Sequence, residues 1–388
     1  MSHFGGSAWE WDEVSSQYYY HAFLKEQPDL NWRNNEVRAA MYEVLRFWLE
    51  LGVDGFRVDV IWHLMKDPDY KDNPPNLAYR PGQPEIDRWL QVHSADQSAV
   101  HEVIEEMRAV VDAYPHRVLI GEIYLPLDRL MTNYGRDLKG AHLPFNFQLL
   151  QAPWKAGAMA RLVDEYEAAL PKGAWPNWVL GNHDRPRIAT RVGPEQARVA
   201  AVLLLALRGT PTLYYGDEIG MADMPIPPHQ IQDPWAIREP AIGVGRDPVR
   251  TPMQWDRSPH AGFTTTRPWL PLADNWAEQN VESLKRQPFS ILSLYRRLLA
   301  LRRKYEALCI GRYETLTCSD DVFGYARRSG QEKLIVLLNF SQGQRSVLLE
   351  RSGHARVLLS SARARSGERT AAELTLDPNE AVIVAEES

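Results

Sequence analysis

Five short apolar runs, alternating with longer amphipathic stretches, constrain this chain more than any other feature. The runs are residues 53–59 ("VDGFRVD"), 117–122 ("RVLIGE"), 143–147 ("LPFNF"), 177–182 ("NWVLGN") and 211–216 ("PTLYYG"). Runs this short, bounded by Gly, Pro and polar residues, predict buried strands. Helical patterns lie between them. "NNEVRAAMYEVLRFWLELG" spaces Val37, Met41, Leu45, Phe47 and Leu49 at roughly helical intervals and stops at Gly52. "SAVHEVIEEMRAVVDAYP" ends at Pro115, and "GPEQARVAAVLLLALRG" opens on Pro194 and closes on Gly209. Strand–helix alternation of this kind predicts a parallel sheet covered by helices. Residues 220–280 then break the pattern with a Pro-, Gly- and Trp-rich stretch, a long loop of the sort that carries function. A helix follows at 290–305, and after about 310 short runs such as "VFGYARR", "KLIVLLNF" and "AVIVA" predict an antiparallel β domain. With 388 residues the chain exceeds one ordinary core, and the change of texture divides it into 1–308 and 309–388.

Composition removes several functions. A formal net charge of −6 argues against nucleic acid. No run approaches the roughly 18 apolar residues of a membrane span, and "MSHFGGSAWEWDE" lacks a signal-peptide core, so a cytoplasmic protein is expected. The two cysteines, Cys309 and Cys318, are too few for a disulfide framework and read as reduced thiols. Arg351, Arg356, Arg363, Arg365 and Arg369 read as a solvated face, and "NFS" at Asn339 as a chance match to a glycosylation acceptor. "GVGRDP" lacks the third glycine of a phosphate cradle, so no nucleotide cofactor is expected. The thirteen Trp and sixteen Tyr fill cores by default, and their flat faces also suit sugars.

Chemistry points to the strand ends. Asp59 ends the first run and Glu122 the second, and His183 and Asp184 follow the fourth. In a parallel α/β barrel the C-terminal strand ends converge on one face, so carboxylates about sixty residues apart are expected to meet there. Such a cluster needs compensating cations or a use for shifted pKa values. Arg57, two residues before Asp59, points the same way from the strand and can hold that carboxylate ionised. A metal site would have an arginine among its ligands, which opposes cation binding, so no metal is expected. Glycoside hydrolysis needs a nucleophilic carboxylate and a proton-donating carboxylic acid. A lone Glu122 would otherwise read as a helix cap or ion-pair partner.

"GFRVDV", "LIGEI" and "LGNHD" resemble three short motifs of the α-amylase superfamily, glycoside hydrolase family 13. "QPDLNW" at 27–32 resembles the motif of its oligo-1,6-glucosidase and α-glucosidase branch, "GTPTLYYGDEIG" at 209–220 the segment of the eighth strand, and "GRDPVRTPMQWD" at 245–256 the loop that follows. The resemblance covers essentially the whole chain. It implies a (β/α)8 barrel followed by a C-terminal antiparallel β-sandwich. It also implies a retaining, exo-acting α-glucosidase of short oligosaccharides. By it Asp59 is the nucleophile, Glu122 the general acid and then base, and Asp184 the transition-state stabiliser, assisted by His183. Arg57 orients the nucleophile and Arg250 closes over the terminal glucose. Phe145 and Phe147 line the entrance or pack in the core. The retaining mechanism places the carboxyls of Asp59 and Glu122 about 5–5.5 Å apart. Val60 borders the leaving sugar, where valine accompanies α-1,6 preference, although one methyl group discriminates by only about 1–3 kcal/mol.

Five runs correspond to strands four to eight of the barrel, and the family's first motif, an aspartate and histidine ending the third strand, has no counterpart here. The expectation is a partial barrel, with calcium confined to an upstream part. It would be completed by an N-terminal segment, a second polypeptide or self-association, and the isolated chain would be weakly active. Alternative readings are an isomerising transglucosidase of the trehalose or isomaltulose synthase type, a non-catalytic relative like the transporter heavy chains, and a carbohydrate-binding fragment.

Overall fold

The computed structural model describes residues 1–349, 355–362, 365–370 and 373–386. They form two compact units. The first comprises Met1–Phe145, Pro171–Trp175 and Ile231–Gly245, and the second the remainder. The texture change at 308/309 is therefore not a boundary of compactness: the C-terminal strands belong to the same unit as two of the parallel strands.

The first unit opens with an antiparallel hairpin, β1 (Trp9–Asp12) and β2 (Gln17–Tyr20). Sequence periodicity gives no strand here. The signal lies in cross-strand rings: Trp9 meets Tyr20 at 5.2 Å and Trp11 meets Tyr18 at 5.1 Å between centroids. Helix α1 (Asn35–Glu50) begins at Asn34, whose side chain accepts from the Glu36 N–H. The parallel strands β3 (Gly55–Val58), β4 (Val118–Gly121) and β5 (Leu143–Pro144) pair in that order. Gly55, at φ 153°, lets β3 and β4 approach, since a Cβ there would stand 2.1 Å from the Val118 carbonyl. Helix α2 (Val100–Asp112) buries Val103, Ile104, Met107, Val110 and Val111 at helical spacing, and Arg38 of α1 pairs with its Glu102 and Glu106. The same α1 leaves Val44, Phe47, Trp48 and Leu51 between 44% and 64% exposed, a continuous apolar stripe. Among the described residues no strand pairs with the outer edge of β3.

In the second unit β6 (Asn177–Val179) and β7 (Thr210–Thr212) run parallel. Between them in sequence lies the helix Pro194–Ala206, buried almost all round. Asn146 adds a parallel bridge to Trp178. Among the described residues the C-terminal part has eight strands: β8 (Arg312–Cys318), β9 (Val322–Ser329), β10 (Glu332–Asn339), β11 (Arg345–Leu348), β12 (Ala355–Ser360), β13 (Arg369–Thr370), β14 (Glu373–Leu376) and β15 (Ala381–Glu386). Six form an antiparallel sheet in the order β13-β12-β15-β10-β9-β8, and β11 pairs with β14 in a second. Alternate residues of both sheets, Ile335, Leu337, Val382 and Val384 with Val347, Leu374 and Leu376, share one core. The central strands are buried along nearly their whole length, so they read as apolar runs rather than alternations.

One sequence reading changes here. Arg365 is not on a solvated face: it is 6% exposed and binds Glu380 at 3.0 Å and Glu368 at 2.7 Å. Arg351 and Arg363 lie outside the described residues. Asn339 is fully buried and its side-chain N–H groups donate to the Gly343 and Asp377 carbonyls, so its "NFS" is a turn device. Cys309 is a free, exposed thiol, and the side chain of Cys318 falls outside the description. Among the described residues no helix is long and apolar enough to cross a membrane.

Candidate active site

In the first unit, β3 ends at Val58, the next residue is Asp59, and Glu122 directly follows β4. Parallel pairing sets Val58 beside Gly121, which brings the two following carboxylates together although they lie 63 residues apart. Arg57 is their common partner. Its Nη1 bonds Asp59 and its Nη2 lies 2.9 Å from Glu122 Oε2. The two acids differ in surroundings. The Asp59 side chain is 68% exposed, whereas that of Glu122 is 4% exposed. Burial pushes the Glu122 carboxyl up to about 7. A hydrogen bond to Asp59 adds to this, and Arg57 pulls the other way. Burial thus favours the protonated form of Glu122, as a proton donor requires, while Asp59 faces solvent beside a guanidinium.

Asp59 and Glu122 share Arg57 as their common partner, and the proximity of Asp59 adds to the upward shift of Glu122. One guanidinium holds both carboxyls, which draws them together. Val60 adds a constraint. Its φ is 36°, a left-handed conformation that a β-branched residue adopts only when its surroundings hold it. Its N–H donates to Glu122 Oε2 at 3.1 Å, so the strained turn fixes the acid.

In the second unit, the loop after β6 presents Asn182, His183 and Asp184. The Asp184 N–H donates to Asn182 Oδ1, and His183 Nε2 lies 3.4 Å from Asp184 Oδ2. Arg250 grips this loop twice, donating from Nε to the His183 carbonyl at 2.9 Å and from Nη2 to Asp184 Oδ1 at 3.0 Å. Arg246, which the sequence reading passed over, adds a contact at 3.4 Å to the same oxygen. Its signal was its place four residues before Arg250 in "GRDPVR". Phe147 is 3% exposed and packs as core; Phe145 is half-buried, its N–H bonded to the Gly121 carbonyl.

A cavity of about 1000 Å³ in the first unit has Trp9, Tyr18, Tyr20, Trp32 and Tyr70 among its lining, and neither Asp59 nor Glu122. The "QPDLNW" motif borders it structurally: Asp29 accepts from the Ala22 N–H and pairs with Lys66, and Trp32 is 6% exposed. Among the described residues no group of three or more His, Cys, Asp or Glu side chains could hold a metal ion.

Residues 1–311 match the family described as alpha amylase, catalytic domain. The chain is 33% identical over 380 residues to an oligo-1,6-glucosidase of Parageobacillus thermoglucosidasius, covering 87% of this chain and 66% of that protein. The solved structure of an α-glucosyl transfer enzyme, XgtA, superposes with a TM-score of 0.90 at 31% identity, over 100% of this chain and 74% of that one. A trehalulose synthase, MutB, superposes with a TM-score of 0.88 at 30% identity, over 99% and 75%. The chain spans 60% to 66% of the length of the first curated relatives it matches.

Proposed function

Because the chain belongs to the α-amylase family, we propose that it acts as a retaining, exo-acting α-glucosidase on short oligosaccharides. The observation that carries this reading is the unequal pair: a buried Glu122 pushed up to about 7 beside an exposed Asp59, both on Arg57. Asp59 attacks the anomeric carbon as Glu122 gives its proton to the glycosidic oxygen, and the glycosidic bond breaks. Glu122, now ionised, takes a proton from water, which displaces Asp59 and releases glucose with retained configuration. Asp184 and His183 take the sugar hydroxyls, with Arg250 and Arg246 fixing Asp184. Val60 borders the leaving sugar and tilts the preference toward α-1,6 links. The test is hydrolysis of p-nitrophenyl α-glucoside by the 388-residue chain beside Glu122→Gln. Turnover present in the chain and lost in the variant supports the reading. Turnover equal in both overturns it.

The coarse fold, a barrel-type α/β part with a C-terminal sandwich, extends to a finer proposal. The five parallel strands take the places of strands four to eight, and further βα units complete the barrel along the outer edge of β3. The open edge and the exposed stripe of α1 support this, because an unpaired strand edge and a contiguous apolar patch are the features that a neighbouring element covers. A second copy of the chain covering the same surface is the alternative. Transglucosylation is a second functional reading, supported by the α-glucosyl transfer enzyme and trehalulose synthase structures. It uses the same carboxyls with a sugar acceptor in place of water. Glucosyl transfer to an added sugar acceptor in place of the release of free glucose would favour it.

A further inference from the structure

Beneath the Asp184 loop, in the second unit, lies a buried carboxyl that the mechanism leaves unused. Asp217 follows β7 and is 3% exposed; its Oδ1 has no hydrogen-bond partner. Its Oδ2 lies where it would meet a Cβ on Gly181 at 2.7 Å, so only a glycine fits at the root of the Asn182–Asp184 loop. Arg187, fully buried, lies opposite. Its Nη1 donates to the Tyr215 carbonyl at 2.7 Å and its Nη2 to the Val249 carbonyl at 2.8 Å, while Nη1 stands 4.0 Å from Asp217 Oδ1. Val249 precedes Arg250. The rings of Tyr214 and Tyr215, themselves edge-on to each other, lie 4.9 and 4.8 Å from the same guanidinium, and the Tyr214 hydroxyl also donates to the Val249 carbonyl. Arg191 holds the Leu180 carbonyl, next to Gly181. Asp217 therefore touches both limbs of the Asp184–Arg250 contact, one through Gly181 and one through Arg187.

We propose that Asp217 is a positioning residue for the Arg250–Asp184 contact, acting through Arg187, and that its charged form weakens sugar binding there. This rests on the reading of Asp184 and Arg250 as sugar ligands. A charged carboxylate is a stronger acceptor than a neutral carbonyl. Closing a 4.0 Å gap to hydrogen-bond length moves Arg187 by about 1 Å. The guanidinium fork is rigid, so the Tyr215 and Val249 bonds lengthen together and Arg250 moves with its neighbour. Displacements of about 1 Å at a sugar-positioning group carry large losses. The groups facing Asp217 are Arg187 and Arg191, which favour its charge, Glu218 and Asp223, which oppose it, and the buried Tyr295 from the helix Ile291–Lys304. Burial outweighs the arginines and pushes the Asp217 carboxyl up to about 7, so the switch falls in the neutral range.

Glu122 titrates in the same range, so the test is made with Glu122→Gln as the background. Binding of thiomaltose, whose sulfur-linked bond resists hydrolysis, is measured by calorimetry from pH 5.5 to 8.5. Glu122→Gln is expected to bind about tenfold more weakly at the upper pH, and Glu122→Gln/Asp217→Asn to bind equally at both. Where sugar binds, the same pH dependence in the two proteins, or pH-independent binding in the first, overturns the proposal. The side-chain ¹⁵N signals of Arg187 and Arg250 are followed in sugar-free Glu122→Gln as well, with Glu122→Gln/Asp217→Asn as the control whose signals should stay constant. In Glu122→Gln both should shift with one midpoint in the neutral range, and constant signals there overturn the proposal whether or not any sugar binds. Moving signals without sugar binding at any pH would sustain the Asp217 coupling and sink the α-glucosidase reading instead.

Discussion

Replacing Glu122, the proposed catalytic acid, should stabilise this protein at alkaline pH while abolishing the proposed activity. Glu122 is raised from its ordinary 4.5 to about 7 mainly because its carboxyl is buried. That difference amounts to on the order of 3 kcal/mol against the charged form. Between these two pH values the unfolded chain has released the Glu122 proton and the folded one retains it, so stability falls as pH rises from about 4.5 to about 7 and then levels. Gln keeps the shape and carries no charge, so Glu122→Gln escapes this loss. The attractions of Arg57 and the Val60 N–H for the carboxylate are already included in the value of about 7. Wild type and variant should therefore unfold together near pH 4, and the variant should gain roughly 1–3 kcal/mol by pH 9, discounted for rearrangement around Arg57. Urea unfolding at fixed pH values reads this directly. Activity moves oppositely. Wild-type turnover should fall about tenfold per pH unit above 7 as the acid loses its proton, and the variant should lose about 10²–10⁴-fold at its optimum. A Glu122→Gln protein that unfolds more readily than wild type at pH 9 would refute the argument from burial, whatever its activity.

Four further outcomes follow from the same geometry. Arg57→Leu removes the cation that pulls Glu122 down, so the alkaline limb of the pH–rate profile should move above 7 while kcat falls at least about 100-fold. Asp184→Asn or Arg250→Lys breaks a charge-assisted bond of 3.0 Å and should lower kcat/KM for maltose about 10–100-fold with little change in melting temperature. Val60→Gly relieves a φ of 36° and should raise stability by about 1 kcal/mol in urea unfolding, and it should shift the isomaltose-to-maltose kcat/KM ratio toward maltose by about 10-fold. Phe47→Glu with Leu51→Glu places charge on the exposed stripe of α1 and should abolish any concentration-dependent self-association seen in light scattering.

The parallel strands and their flanking helices were legible because their patterns are local. A run such as 117–122 folds as β4 because short apolar side chains suit a strand with at least one buried face, and Gly52 and Pro115 mark where helices stop. The β1–β2 hairpin was not legible, because its stabilisation comes from Trp and Tyr pairs that exist only once the strands align. Arg365 was misread for a related reason. A run of arginines suggests solvent, and only the three-dimensional neighbours Glu368 and Glu380 make its burial tolerable.

The site divides along the same line. Asp59 and Glu122 announce themselves as charges ending apolar runs, and Arg57 as a charge where a strand should be apolar. Their unequal roles rest on how deeply each is buried, which no spacing of letters conveys. Arg187 shows the limit most sharply. In sequence it is one arginine three residues past Asp184, yet it is the hub on which the carbonyls of Tyr215 and Val249 converge, and these lie 28 and 62 residues away. Its partners are backbone oxygens, which every residue has, so sequence carries no mark of them. What sequence does carry is Gly181, the one residue small enough to pass Asp217. A glycine between an apolar strand and a catalytic loop signals a close approach by something buried, and here that something is the carboxyl whose charge the loop must accommodate.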